Sequence, residues 1–499
     1  MSRGQDGRIP DVKSEKPKRI VLGPLVLIAM NTSIIVGLEG LPEMALYGIP
    51  LIFLFLIGAL TFLIPVGLIS SELAVGWPGG GGIYGWVDAA FGRRSAVIAV
   101  WCQWMQILVW YPTALSFAAA TIAYIFNPAL ALNNYFIVSM ILVIFWSVTL
   151  INLRGIRTSG IIATVGLILG TILPVLLVVV FAVLFLAGDN EIAIPKENRG
   201  FFPRLDGIRG LAIAAGMITF YSGLEVNAVH GKNVRNPRSS IPLAMLCATT
   251  LVLLIYILGS LGIAFVLTPD QIEASLNVGP MEMFRVFLNQ HGIGSITPIV
   301  AACVAAGVLG HVSTWVIGPT ETIRVAAQNR DLPPILAHTN RNQAPSLLLF
   351  IQAGVVTLMT LPFFLLKNVA VAFFALTALS GAIYLIMYIT MFAAGIRLRY
   401  SHPKVQRHFK VPGGMFGMWA IAIVGIAVSA LALVLSFLPP EKDQFDVGNI
   451  AVYVSVVIVA FVVLVLIGVF LPLPKRLQEP DFDDDDVTDP SVHLPDPPQ

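Results

Sequence analysis

Apolar residues recur in windows of about twenty, the length an α-helix needs to cross a bilayer, and the pattern runs almost the whole chain. The windows fall near 20–47, 50–73, 97–126, 134–153, 159–187, 208–230, 241–267, 294–327, 345–365, 368–396, 416–438 and 449–472. Twelve crossings would leave both ends of the chain on one side. Two windows do not read as straight helices. In the first, Asn31-Thr32-Ser33 is followed by Gly37, Glu39, Gly40 and Pro42, and in the sixth, Phe220-Tyr221-Ser222-Gly223-Leu224-Glu225 sets a Ser-Gly step and a carboxylate in apolar sequence. Glycine at such a step can open the helix and free backbone groups, which are tolerated at membrane depth only where they line a cavity or are covered by protein.

A charge at the bilayer centre costs about 2.5–3.5 kcal/mol on insertion scales, so Glu225 needs a cavity or a partner. Gly37-Leu38-Glu39 and Gly223-Leu224-Glu225 share their glycine-leucine-glutamate order five spans apart. An inverted repeat of five plus five helices places equivalent elements at that separation, and paired interrupted helices point to a central binding site. The pattern therefore predicts an all-α polytopic membrane protein of 12 transmembrane helices, with a five-plus-five inverted repeat, discontinuous helices 1 and 6, and two additional C-terminal helices. The corresponding division is a cytoplasmic tail at 1–19, a transport core at 20–396, a cytoplasmic loop with spans 11 and 12 at 397–472, and an acidic cytoplasmic tail at 473–499.

Composition excludes an ordinary soluble globule: the chain is 57% hydrophobic and 12% charged, with a mean hydropathy of +0.85. Charge supplies the orientation. Of 30 Lys and Arg residues, 23 fall on the side of the termini and seven on the other, so the positive-inside rule predicts cytoplasmic termini in a plasma or inner membrane. The stretch through Arg19 is polar and basic without an apolar core, so no cleaved signal is expected. The stretch after Arg476 carries eight acidic residues and no basic one, the composition of a solvated segment.

Several features point away from other chemistry. Cys102, Cys247 and Cys303 lie in apolar stretches without metal-ligand spacing and read as small core hydrophobes. The run Gly79-Gly80-Gly81-Gly82 lacks the Gly-Lys-Ser/Thr ending and the preceding strand of a nucleotide loop, and instead predicts a turn into a short interfacial helix, Tyr84-Gly85-Trp86 onward. A membrane-embedded enzyme using Glu225, His311 and Glu39 would need converging metal ligands, and a channel would need a filter segment; neither spacing is present. No cofactor, metal or nucleic acid is expected. The expected partners are a small-molecule substrate, the lipid bilayer and a coupled proton, with the chain a monomer or weak homodimer.

The residues resemble a known family, the amino acid-polyamine-organocation superfamily, and within it the bacterial glutamate/gamma-aminobutyrate antiporter branch. The resemblance is carried by Ile64-Pro65-Val66-Gly67-Leu68 with Glu72-Leu73-Ala74, by Gly223-Leu224-Glu225 with Asn236-Pro237-Arg238, and by Pro242-Leu243-Ala244-Met245-Leu246. It continues in Ser313-Thr314-Trp315-Val316-Ile317-Gly318-Pro319, in Tyr384 and Tyr388, and in Val411-Pro412-Gly413-Gly414. It implies a pocket between the breaks of spans 1 and 6 and exchange of an amino acid for a related amino acid or its decarboxylated amine. The substrate carboxylate would take amides at the break from Ser33 through Ile34 and Val36 to Gly37, where a half-helix dipole favours an anion. The ammonium would take carbonyls freed in span 6 near Thr219 to Ser222, beside Gly223, and Phe220 or Tyr221 would close over the ligand.

Glu225 falls on the family's acidic position and is expected to act as a proton-sensitive switch; a Glu bonded to a neighbouring helix as structural glue is the alternative. Tyr384 and Tyr388, one turn apart, fall on two pocket tyrosines and share one face, as packing tyrosines also would. Two residues depart from the branch. Glu39 replaces a tyrosine, and His311 replaces a glutamate. A Glu39 facing the pocket would favour a cationic amino acid, an amine or a shared proton, whereas one facing the vestibule would be solvated. His311 would relay protons or counter a substrate carboxylate, or else be a neutral side chain bonded within the bundle. Proton-coupled uptake of a cationic amino acid or polyamine is the second functional expectation.

Overall fold

The computed structural model describes residues 23–78, 81–154, 168–188, 191–203, 216–226, 234, 237–276, 278–342, 344–365, 369–438 and 450–474. The N-terminal stretch 1–19, parts of the fifth and sixth windows and the acidic stretch after Arg476 lie outside the described residues. Among the described residues the regular elements are helices. They are α1 (Pro24–Ile35), α2 (Leu41–Ala45), α3 (Leu51–Gly76), α4 (Ile83–Phe91), α5 (Arg93–Phe126), α6 (Asn134–Asn152) and α7 (Leu173–Ala187). After a short helical segment at 216–220 come α8 (Pro237–Val266), α9 (Gly279–Gln290), α10 (Thr297–Gln328) and α11 (Ser346–Met359), then α12 (Val369–Ser401), α13 (Gly414–Leu435) and α14 (Ile450–Phe470). Nine of the described helical stretches are long and apolar enough to cross a membrane.

Burial sorts these helices into an inside and an outside. In the most apolar window of α5, 89% of residues are buried, against 17% in α14. Helix α5 is thus the central post, packed by α10 and α12, and α14 offers Val452, Val456, Val459 and Val463 outward, an apolar face suited to lipid. Within α3 the helix widens to a π-type turn over Ala59–Leu63, just ahead of Pro65, which has no amide hydrogen for the ladder. The turn Ile168–Ile172 precedes Pro174 of α7 in the same way.

One end of the bundle is tied by buried charge. The Glu72 carboxylate takes Arg399 in a two-pronged pair, Nε at 2.9 Å and Nη2 at 2.6 Å. The Val411 amide adds a bond at 2.7 Å and Arg407 stands 3.6 Å away. Asp331, equally buried, accepts the Tyr84 hydroxyl at 2.5 Å and pairs with Arg93 at 2.5 Å. Gly81 and Gly82 lead into the short helix α4, which buries Tyr84, Trp86 and Val87.

Candidate functional site

The first break begins where the first glycine after α1 stands. Helix α1 ends at Ile35, Val36 and Gly37 are extended, and a short turn Leu38–Gly40 leads into α2. The polar triplet Asn31-Thr32-Ser33 remains within α1, so Ser33 is helical and the opening lies later than the sequence suggested. Polar side chains leave the main-chain ladder intact; here the ladder ends beside glycine.

The second break follows residues 216–220. Residues 221–225 form successive turns, and Gly223 adopts φ +116°, open to glycine without strain. Its neighbourhood demands glycine as well. A Cβ there would meet the Trp315 ring at 3.1 Å and the Ile34 carbonyl at 3.5 Å, so the two breaks face each other.

Side chains from other helices take up the freed backbone groups. On α8, the Tyr256 hydroxyl donates to Ile35 O at 2.8 Å, accepts the Gly37 amide at 3.4 Å and lies 3.2 Å from Phe220 O. On α10, Trp315 Nε1 donates to Ile34 O at 3.1 Å. On α12, the Tyr388 oxygen accepts the Gly223 amide at 2.8 Å. This is the arrangement that irregular backbone requires at such depth.

Between the breaks lies a cavity of about 90 Å³, walled by residues of both. Of the residues singled out from sequence, Ile34, Gly37, Glu39, Phe220, Ser222, His311 and Tyr384 line it. Val36, Tyr221, Gly223 and Tyr388 do not. Tyr221 is fully buried with its hydroxyl on Phe55 O at 2.8 Å, so of the two candidate covers only Phe220 is at the cavity. Tyr221 opens the run of turns after 216–220, and its ring packs edge-on against Phe55 and Tyr256 instead. Glu39 is on the pocket wall.

Glu225 is buried behind that wall. Tyr384 donates to its Oε1 at 2.5 Å, Tyr388 to its Oε2 at 2.6 Å, and Gln103 approaches Oε1 at 3.4 Å. Only Tyr384 spans the distance, lining the pocket on one side and holding the carboxylate on the other. His311 packs edge-on against Trp110, with centroids 5.6 Å apart.

Sequence reasoning missed Tyr256, Trp315 and the α5 face carrying Gln106, Trp110 and Thr113, all on the cavity wall. The α5 face had a signal, since Gln103, Gln106, Trp110 and Thr113 recur at helical spacing in an apolar span. Among the described residues no three His, Cys, Asp or Glu side chains converge as a metal site.

The chain matches the amino acid permease family over residues 22–472. It is 33% identical to an uncharacterised transporter of Legionella pneumophila, over 90% of this chain and 95% of that protein. A glutamate/gamma-aminobutyrate antiporter of Lactococcus lactis is 30% identical over 88% of both chains. A probable agmatine/putrescine antiporter of the same species is 24% identical over 81% of this chain and 85% of its own. These relatives are transporters, not enzymes. The chain belongs to the amino acid permease family of the amino acid-polyamine-organocation superfamily, and is a multi-pass membrane transporter.

Proposed function

We propose that this chain is a secondary antiporter that exchanges an amino acid for a related amino acid or its decarboxylated amine by alternating access, without a cofactor. The observation that carries the proposal is the pair of facing breaks tied by Tyr256 and Trp315 around one cavity. The relatives named as antiporters support the exchange mode. In this reading the substrate carboxylate takes amides at the first break near Gly37, where the half-helix dipole favours an anion. The ammonium lies toward Ser222 and Glu39, with Phe220 over it. Glu225 and His311 carry the proton sensitivity. The full architecture belongs to the same proposal: twelve spans, a five-plus-five inverted repeat across 20–396, both termini cytoplasmic in the inner membrane, and a monomer or weak homodimer.

A second reading, proton-coupled uptake of a cationic amino acid or polyamine, is favoured by Glu39 on the pocket wall. Among the described residues no Lys or Arg lines this cavity, so a second carboxylate on the substrate would lack a guanidinium or ammonium partner. Counterflow in proteoliposomes separates the two. Entry of labelled amino acid only into preloaded vesicles supports exchange, whereas uptake into empty vesicles driven by a pH gradient supports symport. A panel of acidic, neutral and basic amino acids with their amines assigns the substrate. No uptake of any of them, in either format, would overturn both readings.

A further inference from the structure

A second cavity, of about 60 Å³, adjoins the central pocket. It is built where α2, the segment 216–220 and α12 meet the end of α13 and the start of α14. Thr219, Thr377 and Gly381 line both cavities. The partition is thin, because a Cβ on Gly381 would meet the Thr219 methyl at 2.6 Å.

The charged residue on this second wall is Glu43, accompanied by the hydroxyl-bearing Ser436 and Tyr453. Among the described residues no basic side chain bonds to it. The rest of the wall is apolar, with Phe374, Leu435 and Leu438. Glu39 lies in the short turn Leu38–Gly40 and Glu43 four residues on in α2, and the two carboxylates line different cavities. A carboxylate at the edge of a membrane cavity needs a proton or a cation to balance it. A cavity with one anion, several hydroxyls and an apolar remainder suits a primary ammonium on a short hydrocarbon body.

We propose that this side chamber is a second binding site for an organic ammonium ion, with Glu43 as its counter-charge, distinct from the central pocket but sharing a wall with it. The proposal extends the transport reading, since a cationic substrate would meet Glu43 and Glu39 on either side of the partition. It can also fail separately.

The test is equilibrium binding of radiolabelled n-butylamine to the full-length protein in nanodiscs. Wild type is expected to hold two amines per chain. Glu43→Gln should hold one, or bind the second at least tenfold more weakly, and Glu43→Asp should restore it. Ser436→Phe, which fills the chamber from the opposite wall, should remove the same site and guards against a folding defect in Glu43→Gln. Equal stoichiometry and affinity in wild type, Glu43→Gln and Ser436→Phe would overturn the proposal, as would absence of any second amine in wild type. Amino acid counterflow on the same preparations is read independently: loss of the second amine with exchange intact supports the side site, and exchange absent throughout refutes the transport reading alone.

Discussion

The Tyr388 hydroxyl donates to Oε2 of Glu225 at 2.6 Å. The same oxygen accepts the amide of Gly223 at 2.8 Å, so the buried carboxylate is wired to the backbone of the second break through one phenol. Tyr384 wires its other oxygen to the pocket at 2.5 Å. Protonation of Glu225 therefore bears on this network directly, because an ionised carboxylate only accepts whereas a protonated one gains an O–H donor on the oxygen facing one of the two tyrosines. Glu225→Gln is expected to leave the protein folded and to flatten the pH profile of transport. A pH profile and rate equal to wild type would refute the switch.

The two tyrosines, equivalent by spacing, separate by position. Tyr384 lines the pocket and Tyr388 does not. Tyr384→Phe is expected to weaken substrate binding several-fold, whereas Tyr388→Phe should slow counterflow with little change in affinity, since it frees the Gly223 amide. Each loses a bond to a carboxylate worth about 1.5–3 kcal/mol. Equilibrium binding beside counterflow rates separates the two effects, and matched behaviour of both variants would count against the assignment.

Selectivity should pass through Glu39. It is the carboxylate on the central pocket wall, and Glu39→Gln keeps its shape while removing its charge. The preference for cationic over neutral ligands is expected to fall about tenfold, equivalent to about 1.4 kcal/mol. Competition by arginine, its amine agmatine, and leucine against a common label measures this, and an unchanged order would place the selectivity elsewhere.

At the far end of the bundle, Glu72 is 1% exposed and receives Arg399, the Val411 amide and, more distantly, Arg407. Removing one partner of a buried pair leaves an uncompensated charge and costs about 3–5 kcal/mol. Glu72→Ala is thus expected to lower the melting temperature more than any single pocket substitution, with pocket affinity retained in whatever remains folded. A melting temperature within one or two degrees of wild type would show the pair to be dispensable.

A smaller effect is expected at Glu282 on α9, in the connection between α8 and α10. Burial opposes its ionisation, but the Arg285 guanidinium, donating from Nε at 2.8 Å, and the Tyr124 hydroxyl at 2.9 Å outweigh it and hold the carboxyl below its ordinary value of 4.5. A depressed folded value stabilises at pH above the unfolded value and loses that contribution as pH falls through the folded one. The melting-temperature gap between wild type and Glu282→Gln should accordingly stay constant near neutrality and close below about pH 4.5. A gap at pH 3 as wide as the gap at neutrality would contradict the pairing.

Much of this was legible in the chain because the bilayer restricts what a sequence can do. Apolar windows of fixed length coincide with the nine described helices long enough to cross a membrane, and glycines beside carboxylates flag both breaks. What could not be read was which groups cover the breaks. Tyr256 and Trp315 look like packing aromatics in apolar helices, and only the fold brings their polar atoms to Ile35 and Ile34. The expected break runs from Ser33 to Gly37, but the backbone opens only at Val36 and Gly37, because the polar side chains of Asn31-Thr32-Ser33 leave the main-chain ladder intact. Tyr221 and Phe220 are equivalent candidates in the sequence, and only the fold turns the Tyr221 ring to Phe55.

The sharpest test of the double break is Gly223 itself. Its φ of +116° lies outside the regions a residue with a Cβ enters readily, and the added methyl would press on Trp315 at 3.1 Å. Backbone strain of this kind costs about 1–3 kcal/mol. Trp315 also holds Ile34 O, so displacing its ring should disturb the first break through the second. Gly223→Ala is therefore expected to cut counterflow at least tenfold while the protein remains monodisperse, and Trp315→Phe, which removes the indole donor but opens space, should partly relieve the double variant. Independent, multiplicative losses in the two single variants and their combination would show that the breaks are not coupled through this ring.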